Sequence, residues 1–191
     1  MTLKILKMKS LILRHNFKAI FHLGAVTQVI DAYKSPMKTF STNIDGTINI
    51  LEAIRLINKK IVFIYASSDK AYGELVGKSY KENHQLKGIY PYDVSKSASD
   101  LVAQSYSKTY GLKVGIIRCG NIYGPADYNL DRLIPGIIIN TLKNKRIVIR
   151  SSGKLIRDYI YVSDAAMAYI MLMKKMFKDS KKLFIYNIGS K

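Results

Sequence analysis

The sequence alternates short apolar runs with segments whose apolar residues recur at helical spacing. The run at residues 61–65 carries no charged residue and is followed by Ala66 and a Ser-Ser-Asp sequence. An unbroken apolar run of this length is typical of a strand that is buried on both faces of a parallel sheet. The helical segments between such runs are long enough for crossover connections. The sequence therefore predicts an α/β fold with a doubly wound parallel sheet.

The predicted strands are residues 19–23, 61–65, 114–119, 147–149, 158–162 and 184–187. The predicted helices are residues 1–18, 44–57, 95–110, 133–142 and 163–173, and Gly111 is expected to cap the third of them. The first helix is basic, which is also typical of a transit peptide, and that alternative stays open. His22 lies within a predicted buried strand, so it is expected to be a core residue rather than a catalytic one.

Polar side chains stand at the end of the 61–65 strand and at the start of the helix that follows it. Ser67, Asp69 and Lys70 come at the strand end, where open α/β sheets bind ligands. Tyr92 and Lys96 are four residues apart, so on a helix they share one face. A phenol has a pKa of about 10, and a neighbouring ammonium favours its phenolate.

A serine and a tyrosine activated in this way can remove a proton from an alcohol while a hydride leaves the same carbon. In a chain with 14 Tyr residues and many lysines, a Tyr-x-x-x-Lys spacing also arises by chance. The catalytic interpretation therefore depends on the strand-terminal serines upstream of it. The sequence has no CxxC, no HExxH and no other metal-ligand spacing, so we expect no structural metal.

The composition limits the compartment and the partners. Thirty-one Lys and Arg residues against 13 Asp and Glu residues give a formal net charge of +18. These cations are scattered along the sequence without a nucleic-acid motif, which predicts a solvated surface and neither a nucleic-acid nor a membrane partner. No apolar run is long enough to span a bilayer. The single cysteine, Cys119, excludes an internal disulfide and favours a reducing, cytoplasmic setting.

Several motifs occur together in the order found in one protein family. They are residues 21–25, 42–47, 67–73, 90–96, 118–125, 157–164 and 186–189. In this combination the sequence resembles the extended short-chain dehydrogenase/reductase family, the NAD-dependent sugar-nucleotide epimerases and dehydratases. The resemblance implies a partial Rossmann-like sheet with part of a small substrate-binding subdomain. It also implies a nucleotide-sugar substrate, NAD as cofactor, and a homodimer formed through the helices near Ile44 and Ser95.

The resemblance implies a role for each matched residue. Tyr92 would be the base for the sugar 4-hydroxyl, Ser67 its hydrogen-bond partner, and Lys96 would hold the nicotinamide ribose and lower the tyrosine pKa. The remaining implied contacts are those of Gly24, Ala25 and Asn43 with the cofactor, and of Asn121, Arg132 and Arg157 with the substrate. An ion pair with Asp158 is the structural alternative for Arg157.

The pair Asp69-Lys70 bears on the reaction. Epimerases of this family tend to have small or apolar residues there, whereas 4,6-dehydratases carry an acid, and the Asp-Lys pair resembles those acting on CDP-glucose. Asp69 would protonate the departing 6-hydroxyl. We therefore expect a nucleotide-sugar 4,6-dehydratase. Two alternatives stay open: a 4-epimerase of the same substrates, and a non-catalytic basic binding module. Lys70 can also be a surface lysine.

The chain contains no Gly-x-x-Gly-x-x-Gly loop and no acidic residue after it for the cofactor ribose. We expect residues 1–191 to form a single partial domain. In it, residues 19–125 would be the second half of the Rossmann sheet, and residues 126–191 would contain part of the substrate-binding region. The first strand would then lie at the sheet edge, and NAD would bind weakly to this chain alone.

Overall fold

A four-stranded parallel sheet forms the centre of the protein. The computed structural model describes residues 3–74, 79–149 and 152–189. The strands are β1 (Ala19–His22), β2 (Val62–Ser68), β3 (Lys113–Cys119), β4 (Asn121–Tyr123), β5 (Tyr159–Tyr161) and β6 (Leu183–Ile188). The strand order in the main sheet is β1-β2-β3-β6, with every pair parallel, and β4 and β5 form a separate two-stranded parallel sheet.

The helices cover both faces of the main sheet. They are α1 (Leu3–His15), α2 (Val29–Lys34), α3 (Pro36–Phe40), α4 (Gly46–Ile57), α5 (Pro91–Tyr110), α6 (Leu133–Leu142) and α7 (Val162–Lys178). A π-helical turn (Ser41–Asp45) precedes α4, and a 3₁₀ turn (Asp69–Tyr72) follows β2. None of the helices in the described ranges is long and apolar enough to cross a bilayer.

Alternation along the strands divides the core into two layers. On one face, Phe63 and Ile116 pack with Leu51 and Ile54 of α4, and Ile12 of α1 joins them. On the other face, the packed residues are Ile64, Ile117, Phe184, Leu172 and Met176, the last two from α7. Because successive side chains of a strand point to opposite faces, β2 and β3 contribute to both layers. This is the doubly wound arrangement that the sequence predicts.

Most predicted elements are present, and the differences have local causes. The predicted strand 147–149 is wrong: these residues are irregular and exposed, and they line a cavity instead of pairing with a strand. The segment 120–125, predicted as a loop, contains β4, and α7 continues past residue 173 to Lys178. Gly111 caps α5 as predicted, with a left-handed φ of 72° that a side chain disfavours.

Candidate active site

The end of β2 supplies the first polar side chains of the site. Ser67 and Ser68 are its last two residues, and consecutive strand residues point to opposite faces. Ser67 Oγ donates to Asp100 Oδ2 at 2.7 Å. Ser68 Oγ donates to Asp69 Oδ1 at 3.0 Å and accepts from the backbone N–H of Lys70 at 3.2 Å. Ser68 therefore caps the 3₁₀ turn and holds Asp69 beside the strand end.

Tyr92 lies in the first turn of α5, where Pro91 fixes the start of the helix. The hydroxyl of Ser68 stands near its phenol and acts to lower the Tyr92 pKa. The role of Ser67 as the hydrogen-bond partner in the reaction stays a prediction. The next strand residue faces the tyrosine, while the hydroxyl of Ser67 turns to a buried carboxylate.

Lys96 is buried and Tyr92 is half-buried, and desolvation shifts the pKa of each. Burial raises the pKa of Tyr92 to about 12, opposed by the nearby hydroxyl of Ser68 and by the positive charge of Arg132. Burial lowers the pKa of Lys96 to about 8. Lys96 Nζ donates to Ala66 O at 2.8 Å and lies 6.0 Å from the Tyr92 ring centroid. The lowering of the Tyr92 pKa by Lys96 stays a prediction, because the positive charge that acts on the phenol here is that of Arg132.

Asn43 ties three segments together beneath the site. Its side chain accepts from the backbone N–H of Val26 at 2.7 Å, and it donates to Val26 O at 3.1 Å and to Ser95 Oγ at 2.8 Å. It is fully buried at the centre of the π-helical turn. The loop with Gly24 and Ala25, for which the family resemblance implies contacts with the cofactor, is anchored through Val26. The space in front of Gly24 is open.

Two predicted substrate residues line one cavity of about 640 Å³ between α6 and the segment before β5. Arg132 and Arg157 are both in its wall, and Arg146, which the sequence analysis did not single out, joins them. Arg132 pairs with Asp127 at 2.7 Å. The guanidinium of Arg157 donates to Ile156 O at 2.9 Å. Three guanidinium groups around one cavity make a site suited to phosphate.

Asn121 lies elsewhere, in β4, where its side-chain amide donates to Asp158 O at 3.3 Å and its backbone N–H donates to the same oxygen at 2.8 Å. His22 is a core residue as expected: it is buried, and its Nε2 lies 3.1 Å from Thr47 Oγ1.

A buried ion pair behind the site was missed by the sequence analysis. Arg118 donates to Asp100 from Nε at 2.8 Å and from Nη2 at 2.9 Å. Arg118 Nη1 also donates to Tyr72 Oη at 2.7 Å, and Tyr72 Oη donates to Asn187 Oδ1 at 2.7 Å. The available signal was a lone arginine inside the apolar strand 114–119, since a buried charge requires a partner.

The fold and the site define a Rossmann-type α/β protein with serine, tyrosine and lysine side chains gathered at the carboxyl edge of a parallel sheet. The sequence profile described as "NAD dependent epimerase/dehydratase family" matches residues 2–189. The chain therefore belongs to the NAD-dependent epimerase/dehydratase family.

The relatives are enzymes of nucleotide-sugar metabolism. The chain is 34% identical to dTDP-D-glucose 4,6-dehydratase from Dictyostelium discoideum, over 90% of this chain and 41% of the relative. It is 29% identical to CDP-glucose 4,6-dehydratase from Salmonella typhimurium, over 92% of this chain and 52% of the relative. The chain thus spans about half the length of the curated relatives it matches.

A solved structure of UDP-glucose 4-epimerase with UDP-glucose, from Thermotoga maritima, superposes with a TM-score of 0.86 at 27% identity. The match covers 97% of this chain and 60% of that one.

Proposed function

We propose that this chain carries the proton-transfer and nucleotide-binding residues of a NAD-dependent nucleotide-sugar 4,6-dehydratase. The observation that supports it best is the position of Ser68, whose hydroxyl donates to the Asp69 carboxylate and stands near the Tyr92 phenol. An acid for the departing hydroxyl therefore stands next to the base for the sugar alcohol. The similarity to the two dehydratases above supports the same assignment.

The residues present fit the ribose and nicotinamide part of NAD. Lys96 is 4% exposed, and the hydrogen bond identified for its ammonium group is the one to Ala66 O. An ammonium has three N–H donors, so this buried cation has donors left for the hydroxyls of a ribose. When bound, NAD supplies a hydride acceptor and, in its oxidised form, a positive charge. Tyr92 and Lys96 would hold it, with Gly24, Ala25 and Asn43 forming the adjoining wall.

Tyr92 performs the first proton transfer, from the sugar 4-hydroxyl, as a hydride leaves C4. Ser68 orients the hydroxyl and the phenol. The Tyr92 pKa of about 12 makes the phenolate scarce at neutral pH, so additional positive charge is needed near the ring. Lys96 contributes to that charge from the next turn of α5.

Asp69 and Lys70 carry out the loss of water. The ketone at C4 acidifies the proton at C5, which Lys70 removes as the base. Asp69 acts as the acid and gives a proton to the 6-hydroxyl, and the C6–O bond breaks to release water. The resulting C5–C6 double bond accepts the hydride at C6 and a proton at C5. The net change is the loss of one water and a ketone at C4.

The arginine-lined cavity would hold the nucleotide diphosphate. Arg132 connects the two halves of the site, because it lines the cavity and its charge also acts on the Tyr92 phenol. Arg146 and Arg157 provide two more guanidinium groups. Asn121 holds the β4–β5 pair that leads into this cavity.

The test follows the hydride and the water together. The chain is incubated with a large excess of NAD and with dTDP-glucose or CDP-glucose carrying deuterium at C4. The proposal expects a product that has lost one water and carries the deuterium at C6, as seen by mass spectrometry and NMR. Tyr92→Phe should abolish it, whereas Tyr90→Phe, at an exposed position two residues earlier, should not.

A second candidate, a 4-epimerase, is favoured by the structural similarity to UDP-glucose 4-epimerase. It predicts a C4 epimer with unchanged mass in the same assay. Failure to convert any nucleotide hexose would contradict both.

We also propose that the chain forms a homodimer through α4 and α5, and that it is located in the cytoplasm. Leu101 of α5 is 53% exposed and Leu56 of α4 is 43% exposed, which leaves apolar surface for a second copy. Leu101→Lys should shift the elution volume of a dimer to that of a monomer. A single, buried thiol at Cys119 fits a reducing compartment.

A further inference from the structure

The fold brings together lysines that are scattered along the sequence. In a doubly wound sheet, the connections that enter the strands all lie at one edge, opposite the edge that carries the active site. The residues that immediately precede or begin the four strands are 16–18, 58–61, 111–113 and 179–182. We call the surface they form the amino pole. Its lysines are Lys18, Lys59, Lys60, Lys113, Lys181 and Lys182.

The positions of these lysines follow from the strand register. Lys18 precedes β1, Lys60 lies two residues before β2, Lys113 begins β3, and Lys182 precedes β6, which are neighbours in the sheet order. Neighbouring strands lie about 4.8 Å apart, so this row of lysines extends about 15 Å. Five of the six lysines are exposed, and Lys113 is half-buried.

The amino pole has almost no negative charge to balance these lysines. Asp179 is the one carboxylate in its segments. Its side chain already accepts from the backbone N–H of Lys181 at 2.9 Å and lies 3.9 Å from Lys175 Nζ. Within the described ranges, none of the six ammonium groups has an identified salt bridge. The opposite edge, in contrast, carries a carboxylate, Asp69, in the first turn that follows β2.

Helix ends explain only part of this charge. The C-termini of α4, α5 and α7 also lie at the amino pole, where a cation interacts favourably with the helix dipole. One lysine at each end would satisfy that interaction. The pairs Lys59-Lys60 and Lys181-Lys182 exceed it, and their mutual repulsion is relieved when an external anion approaches within a Debye length, about 8 Å at physiological salt.

The side chains at this end favour a lipid surface over a nucleic acid. The cations of the amino pole are six lysines, of which Lys181 lies over the Phe184 ring at 5.5 Å, and Arg14 stands beside them in the last turn of α1. Lysines act as point charges, whereas specific phosphate recognition in nucleic acids favours the planar fork of arginine. Large apolar side chains stand beside them in the last turns of two helices: Leu13 of α1 is 64% exposed and Phe177 of α7 is 50% exposed. Lysines interleaved with exposed apolar groups are typical of proteins that lie on anionic membranes.

We propose that the amino pole binds the anionic headgroups of a membrane surface, with Leu13 and Phe177 entering the headgroup region and the active site facing away from the membrane. The sequence alone predicts no membrane partner because its lysines are not contiguous. The topology of the sheet brings these lysines together at one end of the protein. The surface is distinct from the cavity of the proposed function and does not depend on it.

The test is co-sedimentation with vesicles of phosphatidylcholine containing phosphatidylserine, compared with vesicles of phosphatidylcholine alone. The pole variant carries Lys59→Gln, Lys60→Gln, Lys181→Gln and Lys182→Gln. The matched control carries Lys34→Gln, Lys38→Gln, Lys81→Gln and Lys87→Gln, four exposed lysines outside the pole. Both variants lose four positive charges. We expect the pole variant to bind anionic vesicles at least about tenfold more weakly and the control to bind like the unmodified chain.

A second variant tests the apolar part without changing the charge. Leu13→Ser with Phe177→Ser should weaken vesicle binding and leave its salt dependence unchanged. Equal weakening of binding in the pole and control variants would show that only net charge matters, and would overturn the proposal. Tighter binding of the unmodified chain to duplex DNA than to anionic vesicles would overturn it as well. So would a pole variant that unfolds at lower temperature but binds vesicles normally, since its lysines would then serve the helix ends alone.

Discussion

Arg118 of β3 and Asp100 of α5 form a two-pronged ion pair that is sealed from solvent. The side chains are 2% and 0% exposed, and the two N···O distances are 2.8 and 2.9 Å. Asp100 also accepts from Ser67 Oγ and from Gln104 Nε2, each at 2.7 Å. The pair thus connects the strand that ends at the active site to the helix that carries Tyr92 and Lys96.

Breaking this pair should be costly. Arg118→Met leaves the Asp100 carboxylate buried without its cation, and we expect the free energy of unfolding to fall by about 3–5 kcal/mol. Urea unfolding followed by circular dichroism measures it. Arg55→Met is the control: Arg55 pairs with Glu52 at 2.6 Å at the surface, so its loss should leave the midpoint nearly unchanged. Similar shifts in the two variants would show that burial of the Arg118 pair is not decisive.

The two serines at the end of β2 should separate stability from catalysis. Ser67→Ala removes a hydrogen bond from buried Asp100, so we expect about 1–3 kcal/mol lower unfolding free energy, with turnover per folded molecule retained. Ser68→Ala removes the hydroxyl that meets Tyr92 and Asp69, so turnover should drop by about tenfold or more with little change in stability. Turnover of nucleotide hexose and thermal unfolding are measured on both variants. The reverse pattern would restore Ser67 as the catalytic serine.

Asp69→Asn should allow the oxidation at C4 and slow the loss of water that follows it. Oxidation at C4 does not use this carboxyl group, so reduced cofactor should accumulate, detected by its absorbance. Loss of water should slow by about 10²-fold or more, because no acid protonates the departing 6-hydroxyl. Asp164→Asn, an exposed acid at the start of α7, serves as the control. If Asp69→Asn releases water at the normal rate, another group is the acid.

His22 should make the fold sensitive to acid. Burial, together with the positive charge of Lys96, lowers its pKa from 6.5 to about 4. Between these values the unfolded chain takes up a proton that the folded chain refuses. The free energy of unfolding therefore declines as the pH falls from 6.5 toward 4, by about 3 kcal/mol in total from this group.

The contribution of His22 to this pH dependence is measured by urea unfolding of the unmodified chain and of His22→Asn, at neutral pH and near pH 4. His22→Asn should lose about 3 kcal/mol less unfolding free energy on acidification than the unmodified chain. His15→Asn, at an exposed site, should lose as much as the unmodified chain. An identical pH dependence in the chain and in His22→Asn would mean that His22 is protonated in the folded state.

The main sheet could be predicted because its strands are nearly uninterrupted apolar runs. Residues 61–65 and 114–119 leave no amphipathic alternative, and Gly111 marks the end of α5 without ambiguity. The strand predicted at residues 147–149 was wrong although it rested on the same kind of evidence, an apolar run. An apolar run predicts a buried strand, but residues 147–149 are exposed along a cavity wall, so their apolar character alone did not decide their structure.

Side-chain partners at the site could be predicted only where the spacing fixes them. Four residues of helix put Tyr92 and Lys96 on one face whatever else the chain does. Which of Ser67 and Ser68 faces Tyr92 depends on the register of β2, because a shift of one residue exchanges the faces to which the two side chains point. The pairing of Arg118 with Asp100 joins two elements, and nothing local in the sequence records it.

β1 has a consequence for handling the protein. It is the outermost strand of the sheet in the described ranges, it pairs only with β2, and Phe21 on it is 38% exposed. Its free row of peptide groups can accept a strand from any neighbouring molecule. Concentrated preparations should therefore aggregate through β1, and Phe21→Lys should reduce this aggregation.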